Sequence, residues 1–457
     1  MKNWLIQFSM NKRVIRTIFI VLLTIQNTLG IVNTFSTMLP IPPRTSIGVM
    51  TGIAILLVGV SAWIYKKRLG VFNKSIQLVD FLLLLYVCFQ AVSLLISPTI
   101  YQLTSFRILL LATVQYGLTR FTVFSSKEKK IILIGLGATA LAVSLASVFQ
   151  VFFRDTAIAL ARKLLFGDAA YGVVWELLRG RVPHLGNLTI AFPFFFGSLL
   201  FIRRSSLMSR CFVAIGTLLV FFAFFVSNFR WITLSFVFCT GEIILLLLKF
   251  RHIKISNVAG QATILLIALT GGLYFASTVS HYNLIDRLLI KDFDRDVTIS
   301  IGRLYLYQQA ADVFMVSPVI GVGFGNYSYL VEPIIGVDYQ NIIGSLYSET
   351  DKQPISSHNE LLTILAEGGF VSFFLFIWIN ILIFKLLIRQ VWTGPVGNQK
   401  ERNLFLIMFL VSLTAYYLYG MFENTAPNNF IVIFFIYAAS VTWSKSDSVM
   451  SNFQKRK

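Results

Sequence analysis

Four stretches of this 457-residue chain carry residues whose type and setting suit work on a charged substrate. Arg230 follows Ser227-Asn228-Phe229 and stands at the head of an apolar run. A cation at a helix N-terminus opposes the helix dipole. An anion shared by the guanidinium and the free amides resolves that conflict, and so does a side chain that snorkels to water. Arg303 leads a segment, 302–315, in which Leu304, Tyr307, Ala311 and Phe314 share one face at helical spacing; Pro318 forecloses that helix beyond Ser317. Two readings are open for it: an amphipathic helix lying on a membrane with a solvated arginine, or an arginine that faces a site. Gly321, Gly323 and Gly325 form a GxGxG run without the Lys-Ser/Thr of a phosphate-binding loop. They allow a tight return of the chain, and their amides can line an anion nest; a plain turn is the simpler reading. Ser357 and Glu360 have capping-box spacing before an apolar run, which predicts His358 in the first turn of that helix. A neutral imidazole there can accept a proton. Arginines suit diphosphates because a planar fork binds oxygen pairs and never deprotonates.

The elements that must position these groups are spans of hydrocarbon. Residues are 56% hydrophobic and 13% charged, outside the range of soluble domains. Apolar runs of about 20 residues recur, each enough to cross ~30 Å of hydrocarbon as a helix. The pattern predicts an all-α, polytopic integral membrane protein of about 12 transmembrane helices. The expected spans are 17–38, 47–65, 77–97, 103–124, 130–153, 187–202, 211–227, 231–249, 258–278, 361–385, 403–420 and 428–444. With this count, 26 of the 39 lysines and arginines fall on one side, and every short loop agrees. The positive-inside rule makes that side cytoplasmic, with both termini there. The net charge of +19 then reflects cytoplasmic loops, and nucleic acid is excluded as a partner.

Arg230, Arg303 and His358, from distant segments, all map to the outer boundary of this topology. Two long loops face outward with them. Loop 154–186 carries Arg179 and Arg181 and an amphipathic stretch over Thr156–Leu165. Loop 279–360 is too long to be structureless in a compact protein and is expected to fold over the outer face. Its acidic knot of Asp292, Asp294 and Asp296 around Arg295 suits a cation, and a solvated turn is the simpler reading. Cys88, Cys211 and Cys239 lie in or beside spans, so neither a disulfide framework nor a metal site is expected. Glu242 and Arg107 are the main ionisable residues at mid-depth; they line a cavity or pair structurally.

At these residues the sequence resembles the O-antigen ligase and polymerase superfamily of bacterial polysaccharide assembly. The family has an arginine after a small polar residue between two spans, an arginine-led segment ending in Pro-x-x-Gly-x-Gly, and a His-Asn-x-x-Leu…Glu-Gly opening the next span. Here these are Ser227…Arg230, then Arg303…Pro318-Val319-Ile320-Gly321-Val322-Gly323, then His358-Asn359-Glu360-Leu361 with Glu367-Gly368. Two residues separate Ser227 from Arg230 where the family often has them adjacent, and Ser317 stands where Asp or a basic residue often precedes the proline. The resemblance covers roughly 210–390.

It implies a GT-C-like membrane glycosyltransferase at the outer face of the bacterial cytoplasmic membrane. The donor would be a glycan on undecaprenyl diphosphate and the acceptor a sugar hydroxyl; the reaction would be inverting and metal-independent, with no cofactor. His358, Arg303, Arg230 and Glu367 are the implied catalytic residues. Arg179, Arg181, Arg287, Gly321, Gly323, Asn359 and Glu360 are the implied substrate-binding ones. The chain divides into N-terminal helices 1–200, a catalytic region 201–390 that includes outer loop 279–360, and C-terminal helices with a cytoplasmic tail, 391–457. The lipid bilayer, a flippase and a chain-length regulator of the same pathway are the further partners. A polymerase of capsule, exopolysaccharide or O-antigen type is the first reading. A ligase onto lipid A core is the second, and a lipid-linked oligosaccharide flippase or another transporter the third.

Overall fold

The computed structural model describes residues 12–32, 43–66, 76–96, 100–164, 186–201, 207–226, 230–249, 293–327, 330, 357–393, 400–421 and 429–443. Among these residues the regular elements are thirteen α-helices. They are α1 (Lys12–Val32), α2 (Pro43–Lys66), α3 (Leu78–Ile96), α4 (Ile100–Phe121), α5 (Ser126–Phe152), α6 (Arg154–Leu164) and α7 (Gly186–Phe201). After them come α8 (Leu207–Val226), α9 (Arg230–Lys249), α10 (Phe293–Val316), α11 (Glu360–Thr393), α12 (Lys400–Gly420) and α13 (Asn429–Trp443). Eleven of the twelve expected spans coincide with a helix; the expected span 258–278 lies outside the described residues. Among the described residues, five helices are long and apolar enough to cross a membrane, within Leu78–Leu95, Ser126–Gln150, Ile232–Lys249, Glu360–Trp392 and Arg402–Gly420. Five shorter apolar helices stand beside them.

The core follows from which helices are apolar all round. Helix α13 is buried at every position from Phe430 to Trp443, as a helix without a polar face must be. It packs against α1, α4, α11 and α12. A second group joins α5, α7, α8, α9 and α12. Phenylalanines fill it: Phe221 meets Phe236 edge-on at 4.7 Å between centroids, and Phe224 stacks on Phe236 at 4.0 Å. The outward faces are apolar too. Ile55, Leu56, Phe81, Leu84, Leu85, Phe238 and Leu245 are all exposed, which in water would be a liability and in lipid is the stable arrangement.

Ion pairs gather at one end of the bundle. Arg120 is fully buried and grips Asp80 with two bonds, 2.9 and 3.0 Å. The Tyr116 hydroxyl joins the same carboxylate. Thr442 of α13 donates to the Arg120 carbonyl at 2.9 Å. Arg16 pairs with Glu128 and reaches the Val123 carbonyl at 2.6 Å. Lys127, Lys129 and Lys130, in the first turns of α5, are at this end. The glycine-rich turn and His358 are at the opposite end.

One local expectation changes and two others are sharpened. Helix α10 begins at Phe293, well before residue 302. The backbone at Asp294 and Asp296 is therefore helical. Asp292 is outside the described residues. The amphipathic stretch near 156–165 is helical and starts at Arg154. At mid-depth, Arg107 donates to the Thr51 hydroxyl at 3.1 Å and Glu242 bonds Thr414, so both ionisable residues have a partner on a neighbouring helix.

Candidate functional site

The site is built on a broken helix. Within α11, Gly369 has φ 62° and ψ −172°, so the helix is two limbs joined at a corner. A break strands backbone carbonyls and amides, which at membrane depth must find partners in the protein. The segment after α10 supplies them. Val322 N–H donates to the Ala366 carbonyl at 3.0 Å, and Gly323 N–H to that of Glu367 at 2.8 Å. In return Phe370 N–H donates to the Pro318 carbonyl at 2.7 Å. The two backbones touch, and only glycine permits it: a Cβ on Gly321 would sit 2.2 Å from the Glu367 carbonyl oxygen, and one on Gly369 2.4 Å from that of Val319. Phe324 then seals the turn into the core against Phe430, 5.7 Å between centroids.

Of the two readings of Gly321 and Gly323, the tight turn is the one formed, and not the anion nest. Gly321 N–H donates to Ser317, Val322 N–H to Ala366 and Gly323 N–H to Glu367, so these three amides are committed to carbonyls. The motif Pro-x-x-Gly-x-Gly is a joint. Glu367 belongs to the same joint. It is 6% exposed, and its carboxylate accepts from the N–H of Tyr327 at 3.2 Å and from that of Gly325. In this arrangement it clasps the far side of the turn.

His358 is placed by its neighbours. Asn359 is the N-cap of α11: its Oδ1 accepts from Leu362 N–H at 3.1 Å, and its Nδ2 donates to the Met421 carbonyl at 3.3 Å. The Ser357 hydroxyl is buried, bonds Thr363 at 2.6 Å and accepts from Asn359 N–H. The expected capping box of Ser357 with Glu360 is therefore not formed. The short amide side chain immediately before the helix takes the role, and Asn359 caps where substrate binding was expected. His358 stands one residue before the cap, not in the first turn. It is half-buried, with φ 50°, and is the one non-glycine with positive φ among the described residues. Such a backbone costs energy and persists only where the surroundings impose it. Ser357 and Asn359 are those surroundings. Glu360 is buried at the head of the limb, where the Tyr416 hydroxyl reaches it at 3.4 Å.

Arg303 lies in the third turn of α10, half-buried, on the face that carries Leu306, Ala310 and Val313. That face and the first limb of α11 share one apolar cluster, Ala310, Val313, Val322, Tyr327 and Ala366, with Leu362 against it. Both helices end at the joint, so they run side by side with their C-terminal ends together. Counted back from the joint at ~1.5 Å per residue, Arg303 is about 20 Å away and His358 about 15–18 Å. The two groups stand at similar heights on neighbouring elements. Arg230 is the first residue of α9. Arg179, Arg181 and Arg287 lie outside the described residues. Among the described residues, no three His, Cys, Asp or Glu side chains gather closely enough to hold a metal ion.

The structure adds residues that the sequence did not single out. Gln90 of α3 donates to the Ser372 hydroxyl at 2.9 Å. Gln102 of α4 accepts from Asn326 at 3.3 Å and donates to Ser93 at 3.4 Å. All are buried. In sequence they are single polar residues within apolar runs, and only their arrival at the joint marks them out.

Residues 215–377 match the family model described as O-antigen ligase. The matched stretch runs from α8 through α9, α10 and the joint into the second limb of α11. It bears out the resemblance to the O-antigen ligase and polymerase superfamily over that stretch. Among curated proteins, none matches the chain.

Proposed function

We propose that this O-antigen ligase-like chain is a membrane glycosyltransferase that polymerises glycan repeat units carried on undecaprenyl diphosphate, at the outer face of the bacterial cytoplasmic membrane. The observation that carries the reading is that Arg303 and His358 both fall inside the matched stretch, on α10 and just before α11, two helices that share one apolar cluster. An acceptor sugar hydroxyl attacks the anomeric carbon of the donor. The new glycosidic C–O bond forms as the anomeric C–O bond to diphosphate breaks, with inversion, and lipid diphosphate leaves. The hydroxyl proton passes to the His358 imidazole. Arg303 and Arg230 stabilise the charge growing on the leaving diphosphate, worth most where water is excluded. The arginines supply that charge without a metal. Glu367 holds the turn against the broken helix and does not join the proton transfer.

Transfer onto lipid A core uses the same chemistry with a different acceptor, and the O-antigen ligase match supports it on equal chemical grounds. The transporter reading draws less support from Arg107 and Glu242, each of which bonds a threonine on a neighbouring helix.

The experiment is transfer and donor binding measured separately in proteoliposomes with undecaprenyl-diphosphate-linked repeat units. Arg303→Lys is expected to lose most activity, because an ammonium cannot make the two-pronged contact. His358→Ala should keep donor binding and lose transfer by on the order of 10²–10⁴. Normal transfer by both variants would sink the proposal. Elongation of the lipid-linked unit as acceptor favours the polymerase; transfer only to added lipid A core favours the ligase.

A further inference from the structure

The joint that sets the site is assembled from both halves of the chain. Its matched half contributes the turn 318–327 and the corner of α11. Its other half contributes two buried side-chain amides, Gln90 and Gln102, which lie well outside residues 215–377. Each is packed against a glycine of the motif. A Cβ on Gly323 would fall 2.6 Å from the Gln102 amide nitrogen, and one on Gly368 3.1 Å from that of Gln90. Each also bonds a residue beside that glycine: Gln102 takes the Asn326 amide, three residues past Gly323, and Gln90 takes the Ser372 hydroxyl, one helical turn past Gly368. Gln102 is itself tied back to Ser93 of α3. Two amides from neighbouring helices thus brace the turn on one side of the corner and the second limb of α11 on the other.

We infer that Gln90 and Gln102 are positioning residues for this enzyme. They fix the relative placement of turn and corner, and through the first limb of α11 and the end of α10 they fix the heights of His358 and Arg303. The requirement is geometric. The backbone bonds across the joint are few, Val322 to Ala366, Gly323 to Glu367 and Phe370 to Pro318 at 2.7 to 3.0 Å, with Val371 to Val319 at 3.5 Å, and the Glu367 carboxylate adds a clasp on Tyr327 and Gly325 at the far side of the turn. A short ladder with glycine at three of its corners has little resistance of its own to sliding. Buried side-chain hydrogen bonds supply that resistance because leaving them unmade is costly in a dry interior. Misplacement by about 1 Å at a site that depends on orientation costs on the order of 10²-fold in rate. Neither amide needs to touch substrate.

The inference rests on the transferase reading for its rate effect but not for its structural effect, and the test separates them. Gln90→Met and Gln102→Met keep the volume of the side chain and remove its hydrogen bonds. In the full-length protein in proteoliposomes, hydrogen exchange is followed on peptides covering 317–327 and 366–372, with 78–84 and 116–122 as controls at the other end. Each variant is expected to exchange about 3- to 10-fold faster at the joint, the range of one hydrogen bond, with the controls unchanged. Transfer kinetics should show kcat down about 10- to 100-fold with KM within about twofold. Gln102→Asn, which keeps an amide, should recover more of kcat than Gln102→Met. Unchanged exchange at the joint overturns the inference whatever the activity does. Equal acceleration at the controls overturns it too, because the amides would then be holding the whole bundle. Faster exchange at the joint in a protein whose wild type transfers no glycan keeps the brace and removes the proposed reaction.

Discussion

His358 stands in a backbone region that L-residues other than Asn and Asp enter at a cost of about 1–2 kcal/mol. That makes its conformation and its chemistry separable. His358→Gly relieves the strain and His358→Asn tolerates it, so both proteins should melt at the wild-type temperature or above it. Both should still lose transfer by on the order of 10²–10⁴. If either variant transfers at the wild-type rate, the imidazole is a spacer and the proton goes elsewhere. Gly321 poses the reverse problem, with no chemistry and much geometry. Gly321→Ala puts a methyl 2.2 Å from a carbonyl oxygen at φ 69°, with no flexible neighbour to yield. Left-handed strain and overpacking together should cost about 2–4 kcal/mol, visible as a lower melting temperature in detergent. A variant as stable as wild type would mean that the turn and α11 do not meet.

At the scale of elements, α11 divides what the sequence reveals from what it hides. Its existence was legible, because a long apolar run has one structure available to it in lipid. Its corner was not. Gly368-Gly369 within such a run reads equally as helix, and the decision is made by partners some 50 residues upstream in the chain. The cap was misread for a related reason: Ser357, Asn359 and Glu360 all have capping chemistry, and Asn359 prevails because its amide also reaches Met421. The start of α10 was placed too late because apolar periodicity begins near Leu304, whereas helix formation begins at Phe293. Asn359→Ala removes the cap and the tie to α12 together, and should cost about 1–2 kcal/mol in thermal stability. Asp80→Ala at the other end takes away the carboxylate that faces the buried Arg120 guanidinium, and about 3–5 kcal/mol is expected. With Asp80→Ala, whatever protein remains folded should retain its KM for donor, since the pair lies far from the joint. A change in donor KM as large as that of Arg303→Lys would show that the two ends are coupled.

For the whole molecule the question is which way it faces. The ion pairs and the lysines in the first turns of α5 mark one end, the joint and His358 the other. Cysteines introduced at Ser328 and at Ser205 are expected to react with an impermeant reagent from the outside and from the inside respectively; the opposite pattern would move the site to the cytoplasm. Transfer is also expected to survive EDTA. Loss on chelation, restored by manganese or magnesium, would bring in Asp292, Asp294 and Asp296 and displace the arginine clamp. The burial of α13 bears on something else, the order in which the protein is made. Helix α13 is enclosed by α1, α4, α11 and α12, yet the ribosome reaches it after all four. Until it arrives, those helices surround an unfilled axis, and α4, whose Gln102 braces the joint, lacks its main neighbour. The nascent chain therefore passes through a stage in which α1, α4, α11 and α12 are made and α13 is not. Stalling synthesis before residue 429 should yield a membrane-inserted protein whose joint exchanges its amide hydrogens freely.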